Sequence, residues 1–394
     1  MLIELILFML LGILAGTITG LTPGIHINLV GALLVGISAT ILSAVNPFFL
    51  VIFIAAMAIT HTFVDFIPSI FLGCPDSETQ LSVLPGHEML REGKGYEAVM
   101  LSAQGGIIAS IILMIIAIPL SLLVPKVYSP INSIMPIILI LTSAILIFGE
   151  NKKISALFVF TVSGILGLCV LNMNIKEPLL PLLSGLFGSS MLVTSIRTKV
   201  KLPPQQITKP KEKVLRPIIG SIIASPLCGF LPGLGSGQAA ILGNSLLKTE
   251  RKGFLILVGA TNILVMGISF ISIYAISKTR TGAAAAIHQI IGTLSWQMLA
   301  VILVCILITG IISFFLVRFL AEILSQKIAG INYSLLSIMT LVFLTIIVVV
   351  FSGFLGLIVL AISTITGIYC NQLNVRKTEM MGCLLVPTII LYLF

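Results

Sequence analysis

Gly20-Leu21-Thr22-Pro23-Gly24-Ile25, early in the chain, returns as Gly229-Phe230-Leu231-Pro232-Gly233-Leu234 past its middle. Each copy follows one apolar run and precedes another. Proline lacks the N–H that the helix ladder needs, and glycine turns without a Cβ clash, so each stretch should interrupt a helix. In a bilayer, unpaired backbone groups are tolerated only beside protein or a water-filled cavity. The paired breaks therefore predict two interrupted helices that line a cavity. The flanking runs match in order as well as in type, which favours an internal repeat over coincidence among 34 Gly and 18 Pro.

Composition says what surrounds these breaks. Of 394 residues, 58% are hydrophobic and only 9% charged, and the mean hydropathy is +1.21. Soluble domains carry about 25% charged residues, so a water-soluble fold is excluded. At roughly 20 apolar residues per span, the expected fold is an all-α, multi-pass integral protein of the cell membrane. It should hold about 11–14 membrane helices and re-entrant or broken segments. Apolar runs near 99–124 and 131–149 read as separate spans, 284–317 is long enough for two pieces, and 334–351 and 353–370 flank a break. The six cysteines are scattered, with no metal-ligand spacing, and read as small buried residues. Glu4 stands where a secretory signal would be positive, so the N-terminus reads as a retained first span.

The formal charge of +9 does not point to nucleic acid, because the cations sit in short gaps between apolar runs rather than on one face. Lysine and arginine in short loops set orientation. The stretch Arg197–Arg216 holds Lys199, Lys201, Lys209, Lys211 and Lys213 between prolines and should be cytoplasmic. Threading outward from it leaves only Lys126, Lys176, Lys278 and Arg280 of the 22 cations on the other side. An odd number of spans then separates the two Pro-Gly copies. The expected organisation is a first repeat over 1–196, a basic cytoplasmic linker over 197–216 and a second repeat over 217–394. The two would be inverted, with a site between them near the midplane, as in secondary transporters.

The residues after each break are the candidate ligand contacts. Pro23, Gly24, His26 and Asn28 follow the first; Pro232, Gly233, Gly235, Ser236 and Gly237 follow the second. A Gly-rich turn that opens a helix presents unpaired N–H groups and a positive dipole end, which suits a carboxylate or phosphate. A tight helix contact through small residues would use the same composition. No G-x-x-x-x-G-K-[ST] stretch occurs, so the turn is not a nucleotide loop.

A second constellation runs Gly73-Cys74-Pro75-Asp76-Ser77-Glu78-Thr79-Gln80 into Pro85-Gly86-His87. Its carboxylates and hydroxyls can coordinate a cation or hold a proton, or form a solvated loop. The counterpart in the second half is Lys278-Thr279-Arg280-Thr281-Gly282. Arg280 and Thr281 would clamp an anion there, unless Arg280 is a loop cation facing water. His61 and Asp65 share a helical face inside another apolar run, and intramembrane ionisable pairs are functional by default. Asn262 and His288 are explained equally well as polar bridges between helices.

Taken together, TPGIHINL, LPGLGSGQA, CPDSETQLSVLPGHEMLREGKGYEA and KTRTGAAAAI resemble the large permease subunit of the tripartite tricarboxylate transporter family, in its archaeal branch. The likeness covers most of residues 12–105 and 216–300. It implies cation-coupled uptake of a carboxylate, with the Pro-Gly turns and their loops forming the site. It also implies partners, a small membrane subunit and an extracytoplasmic binding protein, besides the solute and the bilayer, with working alone or as a homodimer left open. Asp76 and Glu78 make the first loop more acidic than the bacterial pattern, and the chain itself carries neither partner.

The expected activity is secondary transport of a di- or tricarboxylate-like anion by alternating access, coupled to Na+ or H+. Asp76, Glu78 and Thr79 would serve the coupling ion, and no cofactor beyond Na+ is called for. A translocase of polyprenyl phosphate or another anionic lipid would use the same Gly turns and arginine. An enzyme is disfavoured, since no H-E-x-x-H or G-x-S-x-G motif is present.

Overall fold

Helices carry nearly every residue placed by the computed structural model, which describes residues 2–22, 45–73, 78–197, 202–229, 235–328, 333–373, 375 and 377–393. No strand occurs among the described residues, and eight of their helices are long and apolar enough to cross a membrane. The chain is an all-α, multi-pass membrane protein. Continuous apolar sequence forces this outcome, because only a helix satisfies its own backbone groups within one segment.

In order, α1 is Leu2–Leu21, α2 Pro47–Val64, α3 Phe66–Phe71, α4 Gln80–Arg91, α5 Gly95–Phe148 and α6 Lys153–Leu171. α7 (Leu179–Leu183) runs through a π-helical stretch, Ser184–Ser189, into α8 (Ser190–Arg197). The second half holds α9 (Leu215–Gly229), α10 (Ser236–Leu246), α11 (Arg251–Ile276), α12 (Gly282–Ile291) and α13 (Trp296–Ile328). α14 (Tyr333–Gln372), a 3-10 turn (Lys377–Met381) and α15 (Gly382–Leu393) complete the chain.

Three expected span boundaries meet the structure differently. The runs near 99–124 and 131–149 belong to one continuous 54-residue helix, α5. The long run at 284–317 does divide, at Gly292, whose φ of 79° ends α12. α14 is broken at Gly353 (φ 68°, ψ −165°), a conformation in the left-handed half of the map where an L side chain is strained. Next to it, Ser352 Oγ donates to the Glu177 carbonyl at 3.0 Å.

Packing sorts the chain into two compact units that cut across the sequence halves. One comprises residues 1–67, 99–132 and 210–321; the other comprises 68–98, 133–209 and 322–394. In the first unit, α1 lies on α2 through Gly12, Gly16 and Gly20. A Cβ at these positions would run into the backbone at Phe53, Met57 and His61. α5 crosses α11 in the same manner, Gly105 lying on the Ile256 carbonyl and Gly259 on that of Ser102. Lipid tails are as apolar as leucine, so helices in a bilayer gain from such close approach rather than from hydrophobic burial.

The second unit uses the same device, with Gly167 of α6 lying on the Cys383 carbonyl of α15 and Gly382 on that of Phe160. The proline-rich linker is clipped to this unit by Gln205. Its Oε1 accepts from the Gly95 N–H at 2.8 Å, and its Nε2 donates to the Leu90 carbonyl at 3.0 Å. Gln206 N–H adds a bond to the Gly93 carbonyl at 2.8 Å.

Candidate functional site

Two short helices, α4 and α12, begin at a threonine, and each threonine is tied to a serine on the helix before it. In the first unit, Thr281 caps α12 by accepting from the Ala284 N–H at 3.3 Å. Ser269, wholly buried on α11, receives the backbone N–H groups of Arg280 at 3.0 Å and Thr281 at 3.1 Å. The Thr281 hydroxyl lies 3.3 Å from the same oxygen. The stretch entering α12 is thereby fastened to α11, and Arg280 is held just outside the N-terminus of α12.

The guanidinium of Arg280 reaches a second helix start. A Cβ built on Gly235 would stand 2.8 Å from Arg280 Nη2 and 3.2 Å from Gln238 Oε1. Gly235 precedes α10, and its own N–H donates to Gln238 Oε1 at 2.9 Å. Only a residue without a side chain leaves the guanidinium that place. The N-termini of α10 and α12 thus converge on one arginine, and both dipoles present positive potential there.

Two buried polar side chains on α10 and α11 have no hydrogen-bond partner among the described residues. Ser236, the first residue of α10, is 1% exposed and its hydroxyl has no hydrogen-bond partner among the described residues. Asn262 is likewise 1% exposed, with both amide atoms unpartnered. It precedes Ser269 by about two turns, so both lie on the same side of α11. Buried unsatisfied polar groups cost about 1–3 kcal/mol each, and few persist without a purpose.

The second unit holds the matching arrangement. Ser69 Oγ and Thr79 Oγ1 are 2.7 Å apart, both buried. Thr79 precedes α4, and its carbonyl accepts from the Ser82 hydroxyl at 2.6 Å. Gln80 follows, 1% exposed, with Nε2 3.6 Å from Met381 Sδ and Oε1 unpartnered among the described residues. Glu379, two residues before that methionine, is also buried. Glu78 stands before Thr79 in the chain as Arg280 stands before Thr281, though the Thr79 side chain makes no cap bond to α4.

Of the residues singled out from sequence, Gly235, Arg280 and Thr281 come together, with Ser236 and Gly237 opening the adjoining helix. Glu78 and Thr79 are placed in the other unit. Pro23, Gly24, His26, Asn28, Asp76, Pro232 and Gly233 lie outside the described residues. His61 and Asp65 are buried, and His61 Nδ1 lies 3.1 Å from Thr19 Oγ1, a link between α2 and α1. His288 turns to the Gly292 carbonyl at 2.7 Å and closes the end of α12. Ser269 went unnoticed in sequence because a serine in an apolar helix ordinarily bonds its own backbone. Ser272, one turn on, does this, donating to the Ile268 carbonyl at 2.9 Å.

No solved structure matches this chain. An uncharacterized protein of Methanocaldococcus jannaschii is 31% identical over 401 residues, covering 98% of this chain and 99% of its own length. Residues 6–382 match the model of the tripartite tricarboxylate transporter TctA family. That family is one of membrane transport permeases, in keeping with the eight described helices long and apolar enough to span. The chain belongs to the tripartite tricarboxylate transporter TctA family.

Proposed function

We propose that this chain is a secondary active transporter of a small organic anion of the di- or tricarboxylate type, working by alternating access and driven by Na+ or H+. The observation that carries the reading is the convergence of two helix N-termini on Arg280, with Gly235 leaving room for its guanidinium. A guanidinium binds a carboxylate through two parallel hydrogen bonds, and helix starts add N–H donors and positive potential. Ser236 and Asn262 offer further donors, and a bound anion would relieve their missing hydrogen bonds.

On this reading Arg280, Thr281, Gly235, Ser236 and Gly237 serve the anion, joined by Pro23, Gly24, His26, Asn28, Pro232 and Gly233. Asp76, Glu78 and Thr79 serve the coupling ion, whose oxygen ligands they would supply. The halves 1–196 and 217–394 are inverted repeats about the linker 197–216. In support, each half carries a serine hydroxyl in contact with the hydroxyl of the threonine before a short helix, at Ser69–Thr79 and at Ser269–Thr281. A small membrane subunit and an extracytoplasmic binding protein would deliver the solute, and the permease would pair as a homodimer.

Uptake of labelled di- and tricarboxylates into proteoliposomes of the purified chain tests the proposal, with Na+ and pH gradients imposed separately. Accumulation that needs one gradient is expected. Gradient-independent equilibration, or wild-type uptake by a folded Arg280→Ala variant, would overturn it.

A further inference from the structure

A second basic region lies apart from Arg280, where α9 and α11 begin. Lys211, Lys213, Arg216 and Lys248 line a cavity of about 730 Å³, together with only two carboxylates, Glu212 and Glu250. Glu212 Oε1 accepts the Lys213 N–H at 3.1 Å. Among the described residues none of the four cations makes an ion pair or a side-chain hydrogen bond. Four cations against two carboxylates leave the hollow net positive, and a bound anion lowers the repulsion among the cations.

The walls are set in advance. Asn244 Oδ1 accepts both the N–H and the hydroxyl of Thr249, at 3.0 and 2.8 Å, which fixes the turn that carries Lys248. The first turns of α9 and α11 both face the cavity, through Arg216 and Gly253. Their dipoles add positive potential to that of the side chains.

An apolar track leaves the cavity along α9. Leu215 is 68% exposed, Ile219 39% and Ile223 48%. Their spacing of four residues makes one stripe along the outer side of the helix. A soluble anion has no use for such a stripe. A phospholipid does, with its phosphate in the cavity and an acyl chain along the isoleucines.

We infer that this cavity is a binding site for the phosphate headgroup of an anionic membrane lipid, held by Lys211, Lys213, Arg216 and Lys248. Its place in the basic linker suits the anionic cytoplasmic leaflet, which attracts clustered cations beside a span. The site is independent of the transported solute, since none of its residues belongs to the Arg280 arrangement.

The test is native mass spectrometry of the full chain, released from a neutral detergent containing either phosphatidylglycerol or phosphatidylcholine. One retained phosphatidylglycerol per chain is expected, without retained phosphatidylcholine. Arg216→Gln with Lys248→Gln should weaken retention by about tenfold or more, at roughly 1.4 kcal/mol per decade. Both side chains are exposed, and such surface changes rarely disturb folding. Lys152→Gln with Lys153→Gln, elsewhere in the chain, should leave retention unchanged. Equal retention by all variants would overturn the assignment, as would equal loss in the Lys152 and Lys153 control. Displacement of the lipid by inorganic phosphate at the lipid's own concentration would also overturn it, pointing to a soluble phosphate.

Discussion

Ser69–Thr79 and Ser269–Thr281 each tie a serine hydroxyl to the threonine before a short helix, the first through hydroxyls alone and the second through two backbone N–H groups as well. In each, a buried serine on one helix holds a threonine that starts a short helix, and the residue before the threonine is ionisable. It is Glu78 in one and Arg280 in the other. The positions match, while the chemistry differs. A carboxylate beside hydroxyls suits a cation; a guanidinium beside two helix starts suits an anion. On the proposed reading, the opposite charges at Glu78 and Arg280 would serve a coupling ion and an anionic solute respectively.

The strongest blow to this pairing is Arg280→Ala, which should cut carboxylate uptake by about a hundredfold or more, in the range seen when a charged hydrogen-bond partner is removed. Thermal unfolding in detergent should hardly move. Arg280→Lys should recover little, because a point charge does not reproduce the bidentate fork.

Gly235→Ala probes the same guanidinium from the other side. The new methyl would meet Nη2 at 2.8 Å, the tip of a flexible side chain, so the fold should tolerate it. The displaced arginine should raise KM for the anion by about tenfold, as misplacements of under an ångström commonly do. An unchanged KM would detach Gly235 from the site.

Glu78→Gln should act on the other member of the pair. We expect the ion or proton dependence of uptake to weaken several-fold while KM for the anion at saturating gradient stays put. A change in anion KM alone would merge the two roles into one.

The smallest effects concern the serines themselves. Ser269→Ala leaves the part-buried Arg280 and the buried Thr281 backbone N–H groups without that acceptor and should cost about 1–3 kcal/mol in denaturant unfolding. Ser69→Ala removes one hydroxyl contact and should cost about 1 kcal/mol. Equal costs would show that the two backbone N–H groups add nothing to the second tie.

Much of the second-half site was readable beforehand. Thr281 before a run of alanines is an ordinary helix-start signal, and Arg280 between hydroxyls in an apolar chain calls for a partner. Ser269 was harder, because polar residues in apolar helices usually bond within their own segment. Ser269 and Ser272 are one turn apart and chemically identical, yet one bonds its own helix and the other holds the start of α12.

By itself the sequence determined the solvent, the helices and several of their ends. Hydropathy is a sum over about 20 consecutive residues, and caps are read within one turn. The tertiary structure alone decided which helices share a unit, which glycine takes a neighbouring backbone and which serine reaches across. Gly105 meeting Ile256, and residues 99–132 packing with 210–321 rather than with their own half, are examples. Such choices depend on where the chain returns after many residues, and no local pattern carries that information.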